Sequence, residues 1–276
     1  MKIGIIGLGL MGGSFGIAIK EHFKNYHLIG LDHNQNHSTT ALELGLVDEV
    51  TDSLDDIKGC DVIILSIPVD GIIAVIKELS DVSPSTTIID LGSTKEKIIE
   101  NIPHQIRENF VPAHPMTGTE KFGPTASIRD LYRDKVVVLC DIDDSGERQR
   151  EIAIDIFTTI GMNIVFMGGK EHDRHASFIS HMPHAISYAL ANSVTTQEDA
   201  NSIIALAGGG FRDMSRIAKS SPSMWEDIFR QNKSNLLMAI DSFNLELQRC
   251  REMIEDEEWG ELNRWMGEAN RLHDIL

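Results

Sequence analysis

Apolar residues in the first 167 positions occur as short runs separated by longer mixed segments. Runs of this length bounded by turn residues are typical of buried strands, and the segments between them have room for helices. The alternation predicts a doubly wound α/β sheet with its ligand at the carboxyl ends of the strands. The predicted strands cover residues 2–6, 27–31, 61–67, 86–91, 110–113, 135–140 and 163–167.

After Gly168-Gly169 the strand pattern stops, and the remainder predicts helices that are broken at Pro183, at residues 208–210 and near residues 220–222. We therefore expect two domains, residues 1–167 with the sheet and residues 168–276 entirely helical. Between Leu236 and Ile254 apolar residues recur at helical spacing, which is typical of a core or an oligomer interface. We expect a homodimer through these helices.

The first predicted strand leads directly into a glycine-rich turn, Gly7-Leu8-Gly9-Leu10-Met11-Gly12, and then into a helix. In a Rossmann-type unit such glycines allow a tight bend, close approach of a pyrophosphate and close helix packing. The second strand ends in Asp32, where a carboxylate can accept from ribose hydroxyls. Because Asp32 would repel a 2′-phosphate and residues 33–35 include no arginine, we predict NAD rather than NADP. The predicted cofactor-binding residues are Gly7, Leu8, Gly9, Leu10, Met11, Gly12 and Asp32.

Ser66 and Pro68 end the strand beside which the adenosine half of the cofactor would pass, so both are added to this set. The alternative for Pro68 is that it simply begins the next helix.

The charge and composition of the chain restrict the classes of partner that it can bind. The 276 residues carry a formal net charge of −17, which argues against nucleic acid as a partner. An anionic small-molecule substrate would have to be held by a few local cations. No run of about 18 apolar residues occurs, so we expect no membrane span. The apolar N-terminus has the glycine spacing of a strand and turn rather than a signal peptide.

The cysteines Cys60, Cys140 and Cys250 are odd in number and far apart. This pattern fits neither a disulfide framework nor a zinc site, and it favours buried, reduced thiols in a cytoplasmic protein.

Two further segments carry candidate chemistry. Residues 90–95 read Asp-Leu-Gly-Ser-Thr-Lys, and residues 113–120 read Ala-His-Pro-Met-Thr-Gly-Thr-Glu. Each follows a predicted strand, so Ser93 and His114 are expected at the same mouth of the sheet. This places a proton acceptor beside a small hydroxyl donor.

Four histidines, His172, His175, His181 and His184, open the helical part. A metal site would need ligands on one helix face, but we expect Pro183 to interrupt the helix, so no metal is predicted. His172 and His175 are interpreted as core or capping histidines. His181 and His184 flank the expected break and are candidates to turn into a cleft.

Arg216 follows a glycine-rich stretch and is the candidate for binding a substrate carboxylate. Asp213, one turn earlier, is expected to pair with it. The alternative is an ordinary surface ion pair.

These motifs, together with Ser180-His181-Met182-Pro183-His184 and Trp225, resemble in order the motif series of the prephenate dehydrogenase family. The resemblance implies NAD-dependent oxidative decarboxylation of prephenate in tyrosine biosynthesis, in a dimer with its active site between the domains. It implies that His114 takes the ring hydroxyl proton and that Ser93 hydrogen-bonds both the hydroxyl and His114. It also implies that Glu120 and Asp213 organise Arg216. The substrate-binding set it suggests is Arg216, His184, His181, Glu120, Thr119 and Asp213. No fused chorismate mutase or C-terminal regulatory domain is expected.

Three alternatives remain from the sequence. An arogenate or broad-specificity cyclohexadienyl dehydrogenase would differ only in the substrate side chain. A β-hydroxyacid or 6-phosphogluconate type dehydrogenase would need a lysine base in a Gly-x-x-x-Lys-x-x-x-Asn stretch, which the helical part lacks. A non-catalytic NAD sensor would leave Ser93, His114 and Arg216 without a purpose.

Overall fold

A computed structural model describes residues 1–275, and its first part is built on one eight-stranded sheet. The strand order is β3-β2-β1-β4-β5-β6-β7-β8, so the chain winds outward in both directions from β1 and β4. All the predicted strands are present within two residues of their expected ends, and the predicted doubly wound fold is confirmed. The strands are β1 Lys2–Ile6, β2 His27–Leu31, β3 Glu49–Val50, β4 Val62–Leu65, β5 Thr87–Asp90, β6 Phe110–Pro115, β7 Val136–Cys140 and β8 Asn163–Met167.

Helices cover both faces of this sheet, which explains why its central strands are apolar without alternation. Successive residues of β4 point to opposite faces, so Val62 and Ile64 join one hydrophobic cluster while Ile63 and Leu65 join the other. The helices are α1 Leu10–His22, α2 Gln35–Glu43, α3 Leu54–Lys58, α4 Val69–Glu78, α5 Glu96–Glu100 and α6 Glu147–Thr159, with 3-10 turns at His104–Ile106, Pro124–Ala126 and Ile142–Asp144.

One strand pair departs from the parallel pattern. β6 and β7 are antiparallel, with His114 opposite Val138. A parallel neighbour needs a long crossover, usually a helix, but residues 116–135 contain only the 3-10 turn Pro124–Ala126. The result is that β6 pairs with β5 at its start and with β7 at its end, so the backbone of His114 is held inside the sheet.

The remainder of the described chain is helical, as predicted, and residues 168–275 contain no strand. The expected breaks near residues 208–210 and 220–222 are confirmed. The elements are α7 Gly169–Ala176, a π-helical turn Ser177–His181, α8 Met182–Thr195, α9 Ala200–Ala205, α10 Gly209–Ser215, a 3-10 turn Arg216–Lys219, α11 Pro222–Gln231, α12 Lys233–Glu255, α13 Trp259–Asn270 and a 3-10 turn Arg271–Asp274.

The expected break at Pro183 is wrong. Helical structure continues from Gly169 to Thr195, and the π-helical turn ends at His181, two residues before Pro183. Proline cannot donate a backbone N–H and crowds the preceding turn, and a widened π turn accommodates such a residue without ending the helix. His181 and His184 therefore lie on one continuous helical segment rather than on either side of a break.

No helix within residues 1–275 combines the length and apolar character needed to cross a membrane.

Candidate active site

The glycine-rich turn between β1 and α1 has the shape expected of a phosphate cradle. Gly7 has φ +94, a conformation that L side chains rarely adopt, and a Cβ at Gly12 would collide with the Gly7 carbonyl oxygen. A Cβ at Gly9 would meet nothing within 4 Å, so this side of the turn is open. Gly9 is also the N-cap of α1 and provides no side-chain cap. The first N–H groups of α1 are thus available to a pyrophosphate.

Asp32 lies against this turn at the carboxyl end of β2. Its carboxylate accepts from the backbone N–H of Leu8 at 2.8 Å and of Asn34 at 2.9 Å. The rings of His33 and His37 lie 3.3 and 3.5 Å from the carboxylate, and no arginine within residues 1–275 pairs with it. This position agrees with the predicted role beside the ribose, which stays a prediction.

Ser66 and Pro68, the other two predicted cofactor-binding residues, differ from each other in position. The Ser66 hydroxyl donates to the Gly7 carbonyl at 2.6 Å, so Ser66 helps to hold the turn. Pro68 is the N-cap of α4 and is not part of the cavity wall described next, which favours the simpler interpretation of Pro68 as a helix start.

A cavity of about 540 Å³ lies between the carboxyl edge of the sheet and the helical part. Its wall brings together most of the predicted site residues, from both halves of the chain. Those that line it are Gly9, Leu10, Met11, Ser66, Ser93, His114, Thr119, Glu120, His181, His184 and Arg216. Those that do not are Gly7, Leu8, Gly12, Asp32, Pro68 and Asp213.

His114 is the start of a buried chain of hydrogen bonds. Its Nδ1 is 2.8 Å from Nε2 of His172, and Nδ1 of His172 is 2.8 Å from the Asp173 carboxylate. Asp173 also accepts from the backbone N–H groups of Lys95 at 2.8 Å and Glu96 at 3.0 Å. His172 and Asp173 are buried, so this chain lies behind the cavity wall.

Lys95 and Asp90 form a second buried network under His114. Both side chains are fully buried and form an ion pair. The Lys95 ammonium also donates to the Ala113 carbonyl at 2.6 Å, while Asp90 accepts from the backbone N–H groups of Gly92 and Ala113. Burial raises the pKa of Asp90, and the Lys95 charge opposes that rise. The network ties the end of β5 to β6 beside His114.

The histidines of the cavity favour their neutral forms. Burial holds the pKa of His114 well below its usual range, and His172, Lys95 and His181 act in the same direction. Burial lowers the pKa of His181 to about 4 and also lowers the pKa of His184. A neutral imidazole can accept a proton at neutral pH, which a cationic one cannot.

His184 has a fixed orientation. Its ring stacks on Trp225 with centroids 3.5 Å apart, and its Nδ1 is 2.9 Å from the Ser180 carbonyl. Since that carbonyl can only accept, Nδ1 carries the proton and Nε2 has a free lone pair.

The expected hydrogen bond between Ser93 and His114 is not formed in the structure of residues 1–275. Nδ1 of His114 is taken by His172, and Ser93 contributes to the same cavity wall without bonding to the ring.

The expected pairing of Asp213 with Arg216 is also wrong. Helix α10 ends at Ser215 and Arg216 begins a 3-10 turn, so the two residues do not share one regular α-helical face. The guanidinium of Arg216 instead lies 3.9 Å from the Glu120 carboxylate across the cavity mouth, and Asp213 is exposed outside the cavity. Arg216 remains 60% exposed in its side chain and is therefore accessible to an anion.

The sequence interpretation missed four buried polar residues around His114: Asp90, Lys95, His172 and Asp173. His172 does have the satisfied core position that was expected, but its partner is His114. The same expectation for His175 is wrong, because that side chain is exposed. The available signals were the adjacent His-Asp pair at 172–173 and the two charges that bracket the 90–95 segment.

Metal-ligand geometry is not found in the described chain. Residues 1–275 include no group of three or more His, Cys, Asp or Glu side chains arranged to hold a metal ion.

Comparison with known proteins gives consistent matches over both parts of the chain. The family model for the nucleotide-binding domain of prephenate dehydrogenase matches residues 15–166, and the model for its dimerization domain matches residues 169–268. The prephenate dehydrogenase of Bacillus subtilis (strain 168) is 32% identical over 278 residues, which cover 99% of this chain and 75% of that protein.

Two other matches are similar in extent. The cyclohexadienyl dehydrogenase of Zymomonas mobilis is 32% identical over 264 residues, covering 93% of this chain and 89% of that protein. The crystal structure of prephenate dehydrogenase from A. aeolicus, in complex with hydroxyphenyl propionate and NAD⁺, superposes with a TM-score of 0.93 at 32% identity and covers 100% of this chain and 98% of that one.

Proposed function

Because the chain belongs to the prephenate dehydrogenase family, we propose that it oxidises prephenate to 4-hydroxyphenylpyruvate and carbon dioxide in tyrosine biosynthesis. It is an NAD-dependent dehydrogenase. The observation that carries the substrate assignment is the cavity itself, in whose wall the neutral imidazole of His114, the open glycine turn and the accessible Arg216 meet.

The cofactor fits the residues at the first strand. A Cβ at Gly7 or Gly12 would collide with the protein's own backbone, so both glycines permit the tight turn, while Gly9 faces open space. The uncapped N-terminus of α1 supplies N–H groups for a pyrophosphate. We assign Gly7, Leu8, Gly9, Leu10, Met11 and Gly12 to this turn, with Asp32 toward the ribose and Ser66 as support. When bound there, NAD accepts a hydride at its nicotinamide ring.

His114 is proposed as the general base. It takes the proton of the ring hydroxyl as the carbon that bears this hydroxyl loses its hydride. Loss of the ring carboxylate as carbon dioxide then aromatises the ring, and the proton returns to the same oxygen to give the phenol. Only the neutral imidazole can begin this sequence, and the lowered pKa of His114 keeps it neutral at physiological pH.

The substrate carboxylates need cations or donors in an otherwise acidic protein. Arg216 is proposed to bind the side-chain carboxylate with its planar guanidinium, and His184, oriented by Trp225, to contact the side chain. Thr119, Glu120 and His181 complete the proposed substrate-binding wall, with Glu120 orienting Arg216. Ser93 is proposed to hydrogen-bond the ring hydroxyl.

A second candidate is broad cyclohexadienyl dehydrogenase activity that includes arogenate. The Glu120 carboxylate at the cavity mouth offers a partner for the amino group that distinguishes arogenate from prephenate. The two substrates react at the same ring positions, so His114 would have the same role in both.

An assay of NADH absorbance with prephenate and arogenate in parallel tests these assignments. Turnover of prephenate with a higher kcat/KM than arogenate is the expected result. Comparable values would favour broad specificity, and formation of NADH from neither substrate would refute the proposed function.

We further propose that the chain acts as a homodimer in the cytoplasm, with residues 1–167 binding NAD and residues 168–276 providing the dimer contact and part of the substrate site. The description of the second family model as a dimerization domain supports the homodimer. The thiols of Cys60 and Cys140 are buried and unpaired, as expected, and burial raises their pKa values to about 11 and about 12. Cys250 is also unpaired, but it is only half-buried, contrary to the expectation of buried thiols. No nucleic acid partner is proposed for a chain of charge −17.

A further inference from the structure

We propose that His172 and Asp173 are positioning residues that hold His114 in a single tautomer, with the proton on Nδ1 and the lone pair of Nε2 available to substrate. This inference rests on the proposed role of His114 as the base. It adds two residues that do not line the cavity and would act only through His114.

The direction of each hydrogen bond follows from its donors and acceptors. The carboxylate of Asp173 is fixed by two backbone N–H groups, those of Lys95 and Glu96. An ionised carboxylate only accepts, so Nδ1 of His172, 2.8 Å away, must carry a proton and donate. A neutral His172 then has a lone pair on Nε2.

The protonation of His172 determines which nitrogen of His114 carries a proton. Nε2 of His172 lies 2.8 Å from Nδ1 of His114, so Nδ1 of His114 must be the donor. A neutral ring with its proton on Nδ1 has its lone pair on Nε2. The hydrogen bond of the other ring nitrogen is what sets the tautomer of a histidine, and here that bond leads back to a buried carboxylate.

The same arrangement suits the protonated state. When Nε2 of His114 gains a proton, the Nδ1 hydrogen bond to His172 stays in place and no side chain has to move. The charged groups around the ring are Lys95, paired with Asp90, the carboxylate of Asp173 and, when protonated, His172 and His181. Asp173 is the negative charge at the end of the chain of two imidazoles, where it offsets the charge that His114 acquires.

Substitution of His172 separates positioning from simple structural support. His172→Leu removes the acceptor for Nδ1–H, so His114 can populate the tautomer with its proton on Nε2. We expect kcat to fall about 10- to 100-fold, within the range by which a positioned base accelerates a reaction. KM should stay within about twofold because His172 does not contact the cavity. His172→Gln places an amide oxygen where it can accept from Nδ1–H, and it should recover part of kcat.

The matched control is His175→Leu, the same substitution one turn further along α7 at an exposed position. It should leave kcat unchanged. Asp173→Asn is the complementary variant. Its amide oxygen can keep the position that accepts from the His172 ring and from the Lys95 backbone N–H, so the variant removes the negative charge while the tautomer is retained. We expect a smaller fall in kcat than in His172→Leu, again with little change in KM.

The tautomer can also be measured without turnover. In protein labelled with ¹⁵N-histidine, NMR at neutral pH should show His114 protonated at Nδ1, and His172→Leu should shift this signal toward a mixture. This measurement on the unsubstituted protein does not depend on any variant folding. It also separates the two hypotheses, since failure of the wild type to oxidise prephenate or arogenate would refute the proposed function while the NMR result still decides the tautomer.

Three results would overturn the positioning role. The first is a wild-type His114 with its proton on Nε2, and the second is a His172→Leu variant with unchanged kcat. The third is an equal fall in kcat for His172→Gln and His172→Leu, accompanied by a rise in KM in both variants.

Discussion

The protonation of His114 is decided by the residues around it rather than by its intrinsic basicity. Burial disfavours the imidazolium, and His172, Lys95 and His181 add to this effect, so its pKa lies well below the usual range. The group is therefore neutral above this lowered pKa and cationic only below it. A base of this kind is ready to accept a proton throughout the neutral range.

Replacement of His114 by asparagine should remove the base while leaving the binding groups in place. We expect kcat to fall by about 10²- to 10⁴-fold with little change in KM. In the wild type, kcat should be constant at neutral pH and decrease as the pH falls through the lowered pKa of His114, and this acid inflection should vanish in the variant. If His114→Asn kept both its kcat and the inflection, His181 or His184 would have to be the base.

Arg216 belongs to binding rather than to proton transfer. Its side chain is 60% exposed and has only a distant contact with Glu120, so little of its charge is already neutralised. Arg216→Ala should weaken substrate binding by about 2 kcal/mol or more, roughly 30-fold in KM, with NAD affinity nearly unchanged. Arg212→Ala is the matched control, since Arg212 is exposed nearby but does not line the cavity. An unaltered KM in Arg216→Ala would make Arg216 an ordinary surface residue.

Asp32 is expected to set the preference for NAD. Its carboxylate accepts from the backbone N–H of Leu8 and of Asn34, so alanine would disturb the turn as well as remove the charge. Asp32→Asn keeps the size of the side chain and one of these two hydrogen bonds, and it removes the charge that repels a 2′-phosphate. Asp32→Asn and Asp32→Ala should both lower the ratio of kcat/KM for NAD over that for NADP. Asp48→Asn is the control: Asp48 also accepts from a backbone N–H, that of Leu28, and its substitution should leave the ratio unchanged. A wild-type preference for NADP would contradict this assignment.

At the scale of elements, periodicity located seven of the eight strands but not the two-residue β3, and it did not give the directions in which neighbouring strands pair. The runs at 2–6 and 163–167 could be located because apolar residues between turn signals have few other interpretations. The antiparallel β7 depends on what crosses the sheet between residues 116 and 135, which apolar spacing does not report. The π turn at Ser177–His181 similarly depends on packing around Pro183, whereas local propensity indicates a break.

The site shows the same division. Gly7, Gly9 and Asp32 could be identified because their chemistry is local to one turn and one strand end. The contact of His114 with His172 spans 58 positions in the sequence, and nothing in either segment alone indicates it. Arg216 was found, and the family resemblance placed Glu120 beside it, as the structure does. Helical spacing alone pointed wrongly to Asp213, because Glu120 comes from a different loop.

The buried pair between Lys95 and Asp90 joins two elements, the end of β5 and the start of α5, and its stability can be tested. Lys95→Met would leave the Asp90 carboxylate without its cation in a fully buried position, at a cost of about 3 to 5 kcal/mol in the free energy of unfolding. Asp90→Asn combined with Lys95→Met removes the unpaired charge and should recover part of this loss. Urea unfolding followed by circular dichroism measures both. Equal losses in the single and double variants would show that the charge on Asp90 is not the cause.

At the scale of the whole molecule, polar contacts join the sheet to the helical part around the cavity. Asp173 of α7 accepts from the backbone of residues 95 and 96, and Arg230 of α11 pairs with Asp70 of α4 at 2.6 Å. Within the helical part, Asn232 donates to the Asp173 carbonyl at 2.6 Å and so fixes α7. The residue that anchors the proposed hydrogen-bond chain is therefore also a residue that holds the two parts together. Catalytic geometry and the relative position of the two parts depend on the same contacts.

Helix α12 exposes several large apolar side chains in a chain whose net charge is −17. Soluble monomers rarely expose a contiguous apolar patch, and such patches often mark an interface. Leu237 and Leu247 on α12 are 50% and 56% exposed, and Ile254 near its end is 48% exposed. We predict that these residues lie in a homodimer interface, so light scattering at micromolar concentration should give twice the mass of the chain. Leu237→Asp should raise the dimer dissociation constant about 10-fold or more, because the interface would bury a carboxylate without a partner.

Ser242→Asp provides the control for this last variant. Ser242 is exposed on the same helix but is rotated away from Leu237 and Leu247 by about 140°, at the roughly 100° per residue of an α-helix. It adds the same charge to α12 and should leave the dissociation constant unchanged. A monomeric wild type would show that this apolar stripe does not form a dimer contact. Equal dissociation constants for the two variants would show that the added charge, and not burial at Leu237, weakens the dimer.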